Sequence, residues 1–499
     1  METQKTEMMK CYQILKGTTR KLYEGILNIL LWKLYAVLTC FILCYNLSWG
    51  QNVIEKKQLD PLGIFLANHN QSTGIENWNL KRWKTEIHDM KKMGANTIWY
   101  IPIQFGQRSI KDVDPGAKFW ELEKGICQAI VDEGMKVGIF VGYNDVFPET
   151  LVKHPEWKAL HGKYGMEEAQ ACPSVPAAQE EISNLREKIF KELPKVDYII
   201  SPISDYGGCS CNKCAPLPRT YMKSLKEMTD LCRKYHPKVK VVAAGHGVNM
   251  QEEDMLRDLL KNADWVDYVA EIPRGVKPIL KYYLSPEITM VNGWGSYGPA
   301  PHLDIIKKAY SDDIQYISGN AVYSEGIHDD INRFAVLQFS QDPNRAVIDV
   351  AQQYAEQWLN LKGQDASLAA EVMAGLGSQI VRNREYLYYK DVTNIPKADD
   401  RLKVLIDLRT RNKDLTENYR YWLLTYRAVY ESFSTTEGFF SLEELCKELG
   451  DARNEIIRLE PEYGAHLNAL SNWDKPDISP WNWPRSFNIL WKRENGFIK

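Results

Sequence analysis

Residues 197–214 read DYIISPISDYGGCSCNKC. An apolar, β-type run from Tyr198 to Ile203 stops at Ser204-Asp205-Tyr206-Gly207-Gly208, and three cysteines follow at C-x-C-x-x-C spacing: Cys209, Cys211 and Cys214. A buried strand that delivers a carboxylate into a glycine turn is how α/β barrels present polar groups at the C-terminal ends of their strands. The rest of the chain reads as the barrel that holds this turn.

Upstream, apolar runs alternate with helical patterns. Strands are predicted at 62–67, 96–103 and 136–142, with helices over 78–93 and 117–133. A long connection containing His154-Pro155-Glu156-Trp157 and Ala171-Cys172-Pro173-Ser174 leads to a helix at 178–192 and the anchor strand at 196–204. Downstream come a helix at 218–235, a strand at 239–246, a helix at 251–262 and strands at 266–272 and 287–293. A helix at 302–311 precedes the last strand, 315–322. Strands joined by crossover helices imply a parallel sheet. Eight of them over this span point to an α/β fold, a (β/α)8 TIM barrel at 58–342. From 343 to 499 the strands are expected to cease. Helices are predicted at 344–361, 365–390, 400–433 and 441–460, followed by a Trp-rich tail, which makes a mainly α-helical C-terminal domain. Self-association as a homodimer would fall to that domain.

The first fifty residues stand apart. Lys10, Lys16, Arg20, Lys21 and Lys33 precede an apolar run from Leu34 to Cys44, and the small residues Ser48 and Gly50 come just before Gln51. This reads as a secretory signal peptide, so the chain is expected to be exported, periplasmic or secreted. The alternative is an uncleaved membrane anchor, for which the apolar core is short. Removing residues 1–50 takes away six basic residues of 62 and three acidic of 65, leaving a balance near −6, which argues against nucleic acid as a partner. There is no G-x-G-x-x-G turn after the first strand and no G-x-x-x-x-G-K-[ST], so no nucleotide cofactor is expected.

In a parallel barrel every strand end opens into one mouth. The groups delivered there are Asn68, His69 and Asn70; Gln104; Asn144 and Asp145; Ser204 and Asp205; His246; Glu271 and Arg274; Asn292 and Trp294; Tyr323, Ser324 and Glu325; and His328. Carboxylates, amides and aromatic faces in one pocket suit a sugar, whose hydrolysis needs two carboxyl groups, and no catalytic cofactor is required. Asp205 is the candidate general acid, with Glu325 or Glu271 as base or nucleophile. Asn68, His69, Asn70, Asn144, Asp145, His246, Arg274, Trp294 and Tyr323 are candidate substrate contacts. The plainer readings are an Asp205 that caps its turn, a Glu325 in a structural ion pair and a Glu271 bound to Arg274. Asp329 and Asp330 read as charges at a helix N-terminus.

With Cys172 from the preceding loop, Cys209, Cys211 and Cys214 can form a four-thiolate structural zinc site. One or two disulfides would serve equally in an exported chain, and a catalytic thiol is the third reading.

Three segments together carry a resemblance: Cys172-Pro-Ser-x-Pro, the strand ending SPISDYGGCSCNKC, and YSEGIHDDINRF…DPNR. Over roughly 60–350 the chain resembles exported bacterial proteins, of the kind found in polysaccharide-degrading Bacteroidetes, related to α-glucuronidase-like and hexosaminidase-like glycoside hydrolases. The resemblance implies a barrel and a carbohydrate substrate. Hexosaminidases carry adjacent Asp-Glu at the fourth strand where this chain has Ser204-Asp205, a departure that bears on substrate-assisted hydrolysis. The expected function is therefore hydrolysis of a glycosidic bond. A non-catalytic glycan-binding barrel is the main alternative, and a metal-dependent hydrolase using His69, His246 and Asp205 ranks last.

Overall fold

The computed structural model describes residues 56–68, 75–103, 110–114, 117–160, 169–202, 208–245, 252–271, 275–281, 299–324, 326–377, 380–382, 387–389, 395–433 and 438–462. Nine short strands form one sheet: β1 (Gly63–Leu66), β2 (Thr97–Tyr100), β3 (Lys136–Phe140), β4 (Tyr198–Ser201), β5 (Lys240–Ala244), β6 (Tyr268–Ala270), β7 (Ile279–Lys281), β8 (Ile317–Asn320) and β9 (Val322–Ser324). All pairings in it are parallel, in the order β8-β7-β6-β5-β4-β3-β2-β1-β9. Only Ala321 separates β8 from β9, so the two edges of the sheet are two halves of one stave. Its first half pairs with β7 (Lys281↔Asn320) and its second with β1 (Ile64↔Val322), which closes a barrel of eight staves.

The interior is filled by inward-facing side chains, among them Phe65, Trp99, Phe140, Tyr198, Ile200 and Tyr323. Phe65 and Phe140 stack with centroids 3.9 Å apart. Trp99 and Tyr198 occupy staves on either side of Gly138, with rings 5.2 Å apart. A Cβ on Gly138 would lie 2.3 Å from the indole, so the glycine is the space into which Trp99 packs. Burial of this kind contributes about 25 cal/mol for each Å² of apolar surface removed from water.

Around the strands lie α1 (Leu80–Met93), α2 (Lys118–Asp132), α3 (Pro148–Lys153), α4 (Pro176–Glu192), α5 (Leu217–Tyr235), α6 (Glu253–Lys261) and α7 (Leu303–Asp313). Asn79 caps α1, its side chain accepting from the Arg82 N–H at 3.0 Å, and Trp83, Ile87 and Met90 make its buried face. Helices α8 (Asp330–Gln341), α9 (Val347–Trp358), α10 (Gly363–Gly375), α11 (Ala398–Arg411), α12 (Tyr419–Ser432) and α13 (Leu442–Leu459) follow. Ser441 and Glu444 form a reciprocal capping box at the start of α13.

Three expectations are corrected. The seventh stave is Ile279–Lys281, not 287–293, which lies outside the described residues. It was hard to see because Lys281 is itself buried, its ammonium 2.6 Å from Asp313. Strands do not cease at 343: β10 (Ile380–Arg382) and β11 (Leu387–Tyr389) pair antiparallel where a helix over 365–390 was expected. That helix ends at Gly375, and Gly377, at φ 72, donates its N–H to Glu431 at 2.7 Å. The stretch 400–433 is two helices, because Asn412 ends α11 and Asn418 caps α12, its side chain accepting from the Arg420 N–H at 3.0 Å.

A buried chain of charges runs from the barrel into the later helices. Arg82 on α1 meets Glu86 at 2.9 Å and Glu460 at 2.6 Å. Glu86 meets Arg333 of α8 at 2.8 Å. Asp330 receives Arg420 at 2.8 Å and the hydroxyls of Tyr354 (2.6 Å) and Tyr419 (3.0 Å), and Arg420 reaches on to Asp89 at 2.6 Å. Burial works against the Asp330 carboxylate, but Arg420 and Arg333 overcome it and hold its pKa down at about 2. Asp329 and Asp330 do open α8, as the sequence suggested, and Asp330 is also the hub of this network. Arg420→Met strips the shared cation from Asp330 and Asp89, and the expected loss is about 3 kcal/mol in urea unfolding. A loss below about 1 kcal/mol, the level of a surface pair, would contradict the network's role.

Candidate functional site

Parallel pairing puts the C-terminal ends of all eight staves on one face. There the strand ladders end, and the backbone groups beyond them need other partners. Four side chains supply them. The Asn68 amide donates to the Ile101 carbonyl and accepts from the Ile101 N–H, both at 2.9 Å, extending the β1–β2 ladder. Arg186, buried on α4, donates to the carbonyls of Gly142 (3.2 Å) and Tyr143 just past β3, and to Ser224 Oγ. The Tyr221 hydroxyl donates to the Ser201 carbonyl at 2.8 Å and accepts from the Ala244 N–H at 2.9 Å, joining the ends of β4 and β5. Arg333 donates to the Gly326 carbonyl at 2.7 Å and to Ser324 Oγ at 3.3 Å, bracing the residues on both sides of Glu325.

Of the candidate residues, Asp205, Glu325, His69, Asn70, His246, Arg274 and Trp294 lie outside the described residues. Their places in the chain are clear: Asp205 comes four residues after β4, and Glu325 directly follows β9. Glu271 follows β6 directly and is exposed, with φ at 56, in the left-handed region that a glutamate rarely adopts. Asn68 spends its amide on Ile101. Asn144 is fully buried and donates to the Ala171 carbonyl at 2.8 Å. Tyr323 lies in the barrel interior, edge-on to Phe65 at 5.4 Å. These three therefore have structural work that the sequence did not reveal.

The long connection after β3 folds back on itself. Val146 bonds Ala169, Ala171 bonds Asn144, Ala159 bonds Gln170 and Cys172 bonds Trp157, all through the backbone. Leu160 is thereby brought to the cysteine turn, where its N–H donates to Cys209 Sγ at 3.4 Å and its carbonyl accepts from the Ser210 N–H at 3.2 Å. The same folding sets Cys172 among the other three cysteines. Its sulfur lies 3.4 Å from Cys209, 3.7 Å from Cys214 and 3.8 Å from Cys211. All four cysteines are unbonded thiols in this structure; Cys211 is partly exposed and the others are buried. Ser174 Oγ sits 3.0 Å from Cys172 Sγ. Beside them a pocket of about 470 Å³ opens to solvent between Pro155, Lys158, Leu160, Ser174 and Cys211.

Sequence reading missed Arg186, Tyr221 and Arg333. Arg186 shared its helical face with Ile182, Leu185 and Ile189, and Arg333 stood among Ile331, Phe334 and Leu337. For Arg186, a lone arginine on an otherwise apolar stripe was the available signal, since a buried guanidinium must find acceptors.

No protein-family model matches the chain, and no curated protein does. Its fold is similar to that of CpGH89 from Clostridium perfringens, solved with its substrate GlcNAc-α-1,4-galactose, at TM-score 0.50 and 9% identity over 83% of this chain and 53% of that one. A glycoside hydrolase family 138 enzyme targeting pectin rhamnogalacturonan II gives TM-score 0.49 and 10% identity, over 85% of this chain and 74% of that one. The α-galactosidase from Lactobacillus brevis gives TM-score 0.34 and 12% identity over 57% of this chain, which spans only 40% of that enzyme. At 9% identity the likeness to CpGH89 is one of fold alone.

Asp145 ends the β3 turn half-buried, with Gln170 Nε2 at 3.4 Å. Burial raises its pKa to about 6, against the opposing pull of Gln170 and Arg186. A carboxyl raised on folding contributes stability below its unfolded pKa, and that contribution is lost as pH rises through the folded value. Asp145→Asn is therefore expected to gain about 1–2 kcal/mol on wild type between pH 4 and pH 7. Urea midpoints at the two pH values check this, and a constant difference would contradict the raised pKa.

Proposed function

We propose that this chain is an exported glycoside hydrolase acting on an oligo- or polysaccharide at the C-terminal mouth of its barrel. The observation that carries the reading is the arrangement of a closed parallel barrel in which β4, β6 and β9 lead to a carboxylate within four residues: Asp205, Glu271 and Glu325. Two carboxyl groups facing one mouth are the minimum for glycosidic hydrolysis. Asp205 as general acid would give its proton to the leaving-group oxygen. Glu325, or Glu271 in its left-handed turn, would activate water or attack the anomeric carbon.

The bracing of the neighbouring backbone supports these roles. Arg333 grips the residues flanking Glu325, while Tyr221 holds Ser201 ahead of Asp205. Catalytic groups must be held close to their productive geometry, and such second contacts do that. His69, His246, Arg274 and Trp294 complete the sugar-binding set. The similar fold of CpGH89, an enzyme that binds a disaccharide substrate, agrees with a carbohydrate ligand.

Reducing-sugar release over a panel of plant, algal and host glycans tests the proposal. Wild type is expected to release sugar from at least one class, and Asp205→Asn to lose about 10²–10⁴ of that rate. Unchanged turnover in Asp205→Asn would remove the acid assignment. Tight glycan binding with no release by wild type would favour a non-catalytic binding barrel.

A further inference from the structure

We propose that Cys172, Cys209, Cys211 and Cys214 bind one zinc ion as four thiolates, joining the loop after β3 to the loop after β4. A tetrahedral ion with Zn–S bonds of about 2.3 Å needs sulfurs about 3.8 Å apart. Cys172 stands 3.4, 3.7 and 3.8 Å from the other three, and all four sulfurs lie within 4.8 Å of one another. No pair is singled out for a disulfide, whose sulfurs would sit at about 2.05 Å. One sulfur 3.4–3.8 Å from three others, none at bonding distance, fits a shared ion.

The backbone supplies what thiolates around a metal require. The N–H of Leu160 donates to Cys209 Sγ at 3.4 Å. The N–H groups of Ser174, Cys211 and Lys213 each meet the sulfur two residues earlier, at Cys172, Cys209 and Cys211 in turn. With an ion bound, these N–H groups would orient the sulfurs and spread their negative charge. On binding, four Zn–S bonds form and the thiol protons leave to solvent, with no electron transferred. Tetrahedral thiolate sets hold zinc or iron. Zinc is assigned because this cluster ties two loop segments together beside a solvent pocket, a structural task that needs no redox chemistry.

The consequence is mechanical. Among the described residues, the connection after β3 meets the cysteine turn through these sulfurs and the Leu160–Ser210 pair, so the ion would fix where residues 208–214 begin, just downstream of Asp205 in the chain. The inference stands apart from the hydrolase reading, because its readouts are metal content and loop protection.

The test is elemental analysis of the full chain purified without chelator. One zinc per chain is expected, and replacement by cobalt should give the charge-transfer and ligand-field bands of a tetrahedral cobalt thiolate. Cys172→Ser and Cys211→Ser should each reduce zinc to background, while Cys446→Ser, outside the cluster, retains it. Chelation of wild type should expose new tryptic cuts at Lys158 and Lys213. Absence of zinc from wild type, iron in its place, or cluster sulfurs recovered as disulfides from the denatured chain would each overturn the proposal.

Discussion

Parallel pairing between the first stave and the last is the constraint on which everything else depends. β1 accepts β9 on one side and β2 on the other, and Ala321 lets a single passage of chain serve both β7 and β1. Once the barrel is closed and parallel, all strand ends that carry polar turns must share one face. The interior cannot be an open channel, because Phe65, Trp99, Phe140 and Tyr198 fill it. At the mouth, side chains take over the backbone's hydrogen bonds. Asn68, Arg186, Tyr221 and Arg333 form that collar.

Arg333 belongs to two systems at once. Through Gly326 and Ser324 it holds the turn after β9, and through Glu86 it enters the buried charge network that reaches Arg82, Asp330 and Arg420. Buried ion pairs add little net stability, since desolvation offsets their attraction, but losing one partner is costly. Such a network resists rearrangement. Its place between α1, α8 and α12 makes the later helices a support for the mouth as well as an appendage to the barrel.

The alternation of strands and helices was legible because each long amphipathic helix, such as α1 or α5, repeats its apolar spacing over several turns. The seventh stave was not, since three residues ending in a buried lysine have no readable period and the stave depends on Asp313 for that lysine's partner. Helix boundaries after 360 were misjudged where asparagine caps and a glycine turn decided them rather than periodicity. Around the mouth, residue types could be read along the chain, yet the sequence could not tell that Asn68 and Asn144 spend their amides on backbone 33 and 27 residues away. Local chemistry was readable, whereas long-range hydrogen bonding was not.

The claim that the mouth formed by the strand ends is the ligand-binding face can be tested by hydrogen exchange of the full chain, with and without a saturating glycan fragment. Slowed exchange is expected in peptides spanning the ends of β1, β4, β6 and β9 and the turns that follow them. Protection confined to α9–α13, or to the opposite end of the barrel, would contradict it.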